Sequence, residues 1–296
     1  MIKNVRIISV LVLSLALLFT TAAMAVEEGK TIRVVASFYP IYIMARNVLK
    51  DVPGVTITNL TATAAGCLHD YTLTTADMKK LTDADIFIAN GAGMESFLDR
   101  IVVQYPWIKI FQLSSVVPLI AGAGQDNYNP HVWVSVKNAI MEVQNLGVVM
   151  AQADPLHAEL YRRNTGEYVV RLEALRLKMH AGLERYRGTK IITFHEAFPY
   201  FAQEFGLDIA AVVEREPGSE PGARELAETV DIVRKAGIRA LFSEPQYPAL
   251  AAQTIARETG ATVYQLDPSV SGPDDMDAYL QIMEKNLEVL KNAFSK

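Results

Sequence analysis

The chain has 296 residues, a formal charge of −5 and a single cysteine, Cys67. Half of it is hydrophobic, enough for one large core or two smaller ones. The acidic balance argues against nucleic acid as a partner, and one cysteine excludes an intramolecular disulfide. Cys67 is expected to be a small, partly buried residue, with thiolate binding of a soft metal two residues before His69 as the alternative.

Lys3 and Arg6 precede an apolar run from Ile7 to Phe19, and Ala23-Met24-Ala25 follows as a small-x-small cleavage site. That order reads as a signal peptide over residues 1–25, giving a periplasmic or extracytoplasmic product. The run is shorter than the roughly 20 apolar residues that span a bilayer. Polar Glu27 and Glu28 follow at once, and no cysteine stands there to carry a lipid.

Residues 31–38 form a β-rich run, 41–49 have helical spacing, and 55–60 are again strand-like. A helix at 75–82, N-capped by Thr74 or Thr75, precedes a strand at 85–89, a helix at 95–104 and a strand at 108–113. Strands alternating with helices mean βαβ units and a largely parallel sheet. Residues 136–150 then form one helical stretch. Asp154-Pro155 supplies an N-cap with proline at the first helical position. Beyond it Leu156, Leu160, Tyr168, Leu172, Leu175, Met179 and Leu183 recur with the spacing of one long amphipathic helix. The βα rhythm resumes with strands at 190–194, 209–213, 240–243 and 262–266, and helices at 200–205, 223–235, 250–259 and 275–294. Pro217, Gly218, Pro221 and Gly222 mark 214–222 as a loop. The predicted class is α/β, with two α/β lobes of mainly parallel sheets joined by a single long helix. The lobes are 26–153 and 188–296, and the linking helix is 154–187.

Of the five histidines, His195 directly follows a predicted strand, as does Asp267. His69 lies in the loop after the strand at 55–60, and His131 follows a Gly-rich loop just before a helix. Open α/β sheets bind ligands beyond the carboxyl ends of their strands. Imidazole nitrogens and one carboxylate are what Zn²⁺ accepts in a tetrahedral site. Such widely spaced positions suit a site assembled in the cleft between two lobes. His157 and His180 fall within the long helix and are expected to be solvated or packing residues.

Three patterns go further: Gly66-Cys67-Leu68-His69-Asp70-Tyr71, continued by Asn90-Gly91-Ala92-Gly93-Met94-Glu95; Asn129-Pro130-His131-Val132-Trp133; and Phe194-His195-Glu196-Ala197-Phe198-Pro199. Their order and spacing resemble the periplasmic metal-binding proteins of ABC transporters, the zinc- and manganese-type cluster A-I solute-binding family. The resemblance implies two α/β lobes with one linking helix and metal ligation by His69, His131 and His195. It also implies a fourth ligand, a carboxylate or water; Asp267 matches best as the carboxylate, with Glu244 in reserve as ligand or outer partner. Trp133 and Tyr71 would shield the site. The implied function is capture of Zn²⁺, with Mn²⁺ or Fe²⁺ as alternatives, by a monomer that delivers it to an ABC permease. The His-rich insertion of many zinc-specific relatives is missing before Asn129. A metal-containing surface adhesin is a competing role. A secreted zinc hydrolase is disfavoured, because Pro199 stands where a zinc-protease motif needs a second histidine.

Overall fold

The computed structural model describes residues 31–61, 67–68, 71–122, 128–213 and 221–295. The expected signal peptide lies outside the described residues. Among them, no helix is long and apolar enough to cross a membrane.

The first half builds β1 (Ile32–Ala36), α1 (Tyr39–Val48), β2 (Val55–Asn59), α2 (Thr75–Thr82), β3 (Ile86–Ala89), α3 (Leu98–Gln104) and β4 (Lys109–Gln112). The middle is α4 (Val136–Ala153) and α5 (Ala158–Leu183). The second half continues with β5 (Lys190–Thr193), α6 (Pro199–Phe205), β6 (Asp208–Val212), α7 (Ala223–Ala236), β7 (Ala240–Ser243), α8 (Leu250–Thr259), β8 (Thr262–Gln265) and α9 (Ala278–Phe294). The strands form two parallel sheets, ordered β2-β1-β3-β4 and β6-β5-β7-β8. Both sheets therefore share one winding, reversing direction between β1 and β3 and between β5 and β7. The crevice at the strand carboxyl ends beside such a reversal is where α/β sheets take ligands.

Local chemistry explains the element ends. Thr74 caps α2 as expected: its hydroxyl accepts from Asp77 N, and the Asp77 carboxylate accepts from Thr74 N. The expected helix at 95–104 begins only at Leu98, because the Glu95 carboxylate accepts from the amides of Asn90 and Gly91 and holds the chain in a turn. Asp154 does not cap α5. Its Oδ2 is taken by Tyr161 Oη at 2.9 Å and His157 Nδ1 at 2.7 Å, and Pro155–His157 forms a 3₁₀ turn with Leu156 exposed. Asp275 similarly accepts from Asp277 N, delaying α9 to Ala278.

Helix α5 buries Tyr161, Asn164, Tyr168, Leu172, Leu175, Met179 and Leu183, a stripe repeating every three or four residues. Gly147 lets α4 approach it closely, since a Cβ there would sit 2.2 Å from Thr165 Oγ1. One continuous apolar core joins Val34 and Phe87 of the first sheet, Leu172 of α5, and Ile191 and Phe242 of the second sheet. A smaller cluster of Ile192, Val233, Leu241 and Ile255 lies under α7 and α8.

Helix α5 lies between the two sheets in the sequence, and the segment before α9, with the first turn of α9, packs on the first half. Tyr39 Oη donates to Pro273 O at 2.8 Å, Trp133 Nε1 to Pro268 O at 2.7 Å, and Tyr279 Oη to Trp133 O at 2.7 Å. Gly272 permits this approach, because a Cβ there would lie 2.4 Å from Tyr39 Oη. On the other side, buried Glu204 of α6 accepts from Ser135 Oγ at 2.6 Å and Arg176 Nε at 3.1 Å. These ties make large lobe motion costly.

Glu142 of α4 is fully buried, and neither carboxyl oxygen has a hydrogen-bond partner among the described residues. Burial, and secondarily the Glu95 charge, holds its carboxyl well above the ordinary 4.5. A raised native value contributes stability that is complete below 4.5 and lost as the pH climbs through the native value. Each unit of that rise is worth about 1.4 kcal/mol. Glu142→Gln should therefore melt progressively higher than the parent as the pH is raised, a gap that thermal scans across pH would show and that should close under acid.

Candidate metal centre

Three side chains from distant parts of the chain converge at the strand ends. His195 Nε2 lies 2.9 Å from His131 Nε2, and Cys67 Sγ lies 3.7 Å from each. The two rings meet edge to face, with centroids 4.7 Å apart. Both histidines are buried, with 2% and 3% of their surface exposed, whereas Cys67 is half-buried. Among the described residues these three form a group whose donor atoms all lie within 4.8 Å of one another.

Each is held by its own stretch of chain. His131 sits between Pro130 and the 3₁₀ turn Val132–Val134. Asn129 Oδ1 accepts from His131 N at 3.0 Å and lies 3.1 Å from His131 Nδ1. A proton on Nδ1 satisfies that contact and leaves Nε2 with its lone pair towards His195. The Asn129 amide donates onward to Glu196 O at 2.8 Å, so one side chain fixes both histidine loops. Asn90, at the end of β3, donates to Pro130 O at 2.9 Å. Beneath His131 stands Trp133, its ring 5.4 Å away and edge-on to Phe38. This buried indole packs against His131. Tyr71 instead hydrogen-bonds Asp77 and packs on Phe97.

His195 follows β5 by way of Phe194, at the sheet reversal between β5 and β7. Cys67 comes from the long connection after β2. Its neighbour Leu68 is fully buried in the main core, and Cys67 N approaches Tyr247 Oη at 3.5 Å from the other half of the molecule. The Tyr247 ring lies 6.3 Å from His195. Burial, followed by the nearby Cys67 thiol, drives the Tyr247 hydroxyl well above its ordinary value.

The remaining sequence candidates stand differently. His69 lies outside the described residues. Asp267 is not in the three-residue group; its Oδ1 accepts from Gln246 Nε2 at 3.0 Å and Ser269 N at 2.8 Å. Burial raises the Asp267 carboxyl, and those two hydrogen bonds partly oppose the rise. Glu244 is buried just past β7. His157 pairs with Asp154, and His180 of α5 lies near Glu204 and Phe205 of α6, so both pack as expected. Cys67 was expected as a small, partly buried residue, with soft-metal ligation as the alternative, and Asn129 and Tyr247 were not singled out from sequence. The Cys67-Leu68-His69 spacing was the available signal for Cys67, because residues two apart in extended chain face the same side.

A family model described as zinc-uptake complex component A, periplasmic (ZnuA), matches residues 34–293. The chain belongs to this family. It is 28% identical over 300 residues to the zinc-binding protein AdcA of Streptococcus pyogenes, covering 92% of this chain and 58% of that one. The chain thus spans little more than half the length of that relative. It is 27% identical to the high-affinity zinc uptake system protein ZnuA of Bacillus subtilis, over 93% of this chain and 91% of that one. Among solved structures, the Pseudomonas aeruginosa solute-binding protein FpvC in complex with Ni²⁺ superposes with a TM-score of 0.81 at 29% identity, covering 90% of this chain and 97% of that one. The laminin-binding protein Lmb of Streptococcus agalactiae superposes at 0.79 and 27%, covering 88% and 99%.

ZnuA-family membership and the two-sheet α/β fold both agree with what the motifs implied. In this member, Asn129 is the outer partner of both histidine loops. Asn129→Ala should weaken metal binding by about 10–100-fold, the usual cost of removing such a partner. Asn129→Asp, which keeps an acceptor for His131 Nδ1, should recover part of that loss in the same competition titration.

Proposed function

We propose that this chain captures one divalent metal ion, zinc by preference, outside the cytoplasm and passes it to an ABC permease, acting as a monomeric carrier and not as an enzyme. The approach of His131 Nε2 to His195 Nε2 at 2.9 Å carries this reading. Two buried imidazoles from opposite halves direct their outer nitrogens at one point, and neutral imidazole nitrogen is a preferred donor for zinc. His69 joins them as the third imidazole on the strength of its motif. Asp267 is the carboxylate its motif proposes as fourth ligand, with Oδ1 accepting from Gln246 and Ser269. The zinc-binding protein AdcA and the zinc uptake protein ZnuA of Bacillus support the choice of ion, and FpvC with Ni²⁺ supports a site that also accepts other transition metals.

Elemental analysis of protein purified without added metal, followed by zinc–manganese competition, tests this directly. One zinc per chain that excess manganese does not displace is the expected result. Manganese or iron that zinc cannot replace would select the alternative cargo, and a chain taking up no metal would contradict capture altogether. A second reading, a surface adhesin, is supported by the likeness to Lmb, whose structure is described as that of a bifunctional protein with adhesin and metal transporting activity. Deleting the gene separates the two: a transport role predicts poor growth in chelated medium that added zinc restores.

A further inference from the structure

We infer that Cys67 is a direct ligand of the captured ion, supplying a thiolate sulfur that biases the site towards zinc and other thiophilic metals and against manganese. This rests on the capture reading above and revises one ligand of it, since it puts the Cys67 thiolate at the position proposed there for the Asp267 carboxylate.

The geometry supports it. Tetrahedral zinc with Zn–S of about 2.3 Å and Zn–N of about 2.0–2.1 Å has S···N edges of roughly 3.6 Å and N···N edges of roughly 3.3 Å. Cys67 Sγ lies 3.7 Å from both Nε2 atoms, so the sulfur already occupies a corner of that figure. The two nitrogens, at 2.9 Å, need only part by about 0.4 Å, within the give of two loop-borne rings. Fully buried Leu68 pins the segment from one side, and Tyr247 Oη meets Cys67 N from the other half of the molecule. Both contacts act on the Cys67 backbone, and the sulfur stands 3.7 Å from each imidazole nitrogen.

Charge leads to the same donor. Two imidazoles are neutral, so an anionic ligand would offset part of the ion's charge. Asp267 Oδ1 accepts from Gln246 and Ser269 and the residue stands outside the group, whereas the Cys67 sulfur is inside it. On loading, the thiol proton leaves to solvent and the sulfur lone pair forms the metal bond. Thiolate suits zinc and copper, whereas manganese favours carboxylate, carbonyl and water oxygen. A sulfur corner therefore discriminates against manganese by its chemistry.

X-ray absorption at the zinc edge of the zinc-loaded full chain tests this. The expected spectrum contains one sulfur neighbour at about 2.3 Å besides nitrogen or oxygen at about 2.0–2.1 Å. In Cys67→Ser the sulfur shell should vanish while zinc remains bound. Zinc affinity should fall at least about tenfold, as for loss of even an outer partner, with manganese affinity nearly unchanged. A fully loaded wild-type protein whose zinc has only nitrogen and oxygen neighbours would overturn the assignment of Cys67 and leave capture standing. A wild-type chain that binds no zinc would overturn both. The wild-type spectrum alone decides the point if Cys67→Ser fails to fold.

Discussion

His131→Ala or His195→Ala is expected to weaken zinc binding by roughly 100–1000-fold, a quarter or so of the binding free energy of a four-ligand zinc site. The two losses should not add. Each ring positions the other through the 2.9 Å Nε2 contact and the Asn129 bridge, so the second removal acts on a site already disrupted. Competition against a chromophoric chelator would measure both, with circular dichroism to confirm the fold. His157→Ala serves as the control. It removes a histidine bonded to Asp154 on the linking segment, and zinc affinity should not change.

Zinc should also stabilise the fold strongly. A ligand that binds only the native state at a thousandfold excess over its Kd contributes about 4 kcal/mol. At about 2–4 °C per kcal/mol for chains near this size, the melting temperature should rise by roughly 8–16 °C. The ion would join the loop of His131 to that of His195, and so clamp the second half of the molecule to the first. A chelator should reverse the shift, and the His131→Ala, His195→Ala double variant should show almost none of it. Because the sheets share one apolar core and the Pro268 and Pro273 carbonyls tie the halves again, loading should rearrange loops more than it rotates lobes.

The fold was legible because its signals are local. Each strand is a short apolar run between turn residues, and the four residues of β3 are all buried, as a strand covered on both faces requires. The α5 stripe announced a long helix packed along one side. The misplaced ends have tertiary or competing causes: Glu95 turns back onto Asn90 and Gly91, and Asp154 serves Tyr161 and His157 in place of capping. Periodicity carries no trace of such choices.

At the site, strand-end placement located His195 and motif spacing located His131, and the fold brings their rings together across 64 residues of sequence. The direction of Cys67 was not legible. It depends on Leu68 entering the core and on Tyr247, 180 residues away, meeting the Cys67 amide. The Asp267 environment was hidden for the same reason. A carboxylate after a strand looks available in sequence, but Gln246 and Ser269 claim its oxygen once the loops fold together.

A crystal structure of the zinc-loaded protein with anomalous maps at the zinc edge tests capture between the two histidines most directly. One peak is expected, at about 2.0–2.1 Å from both His131 Nε2 and His195 Nε2, with those nitrogens parted from their present contact. A zinc peak elsewhere, with the two rings still in contact, would contradict it.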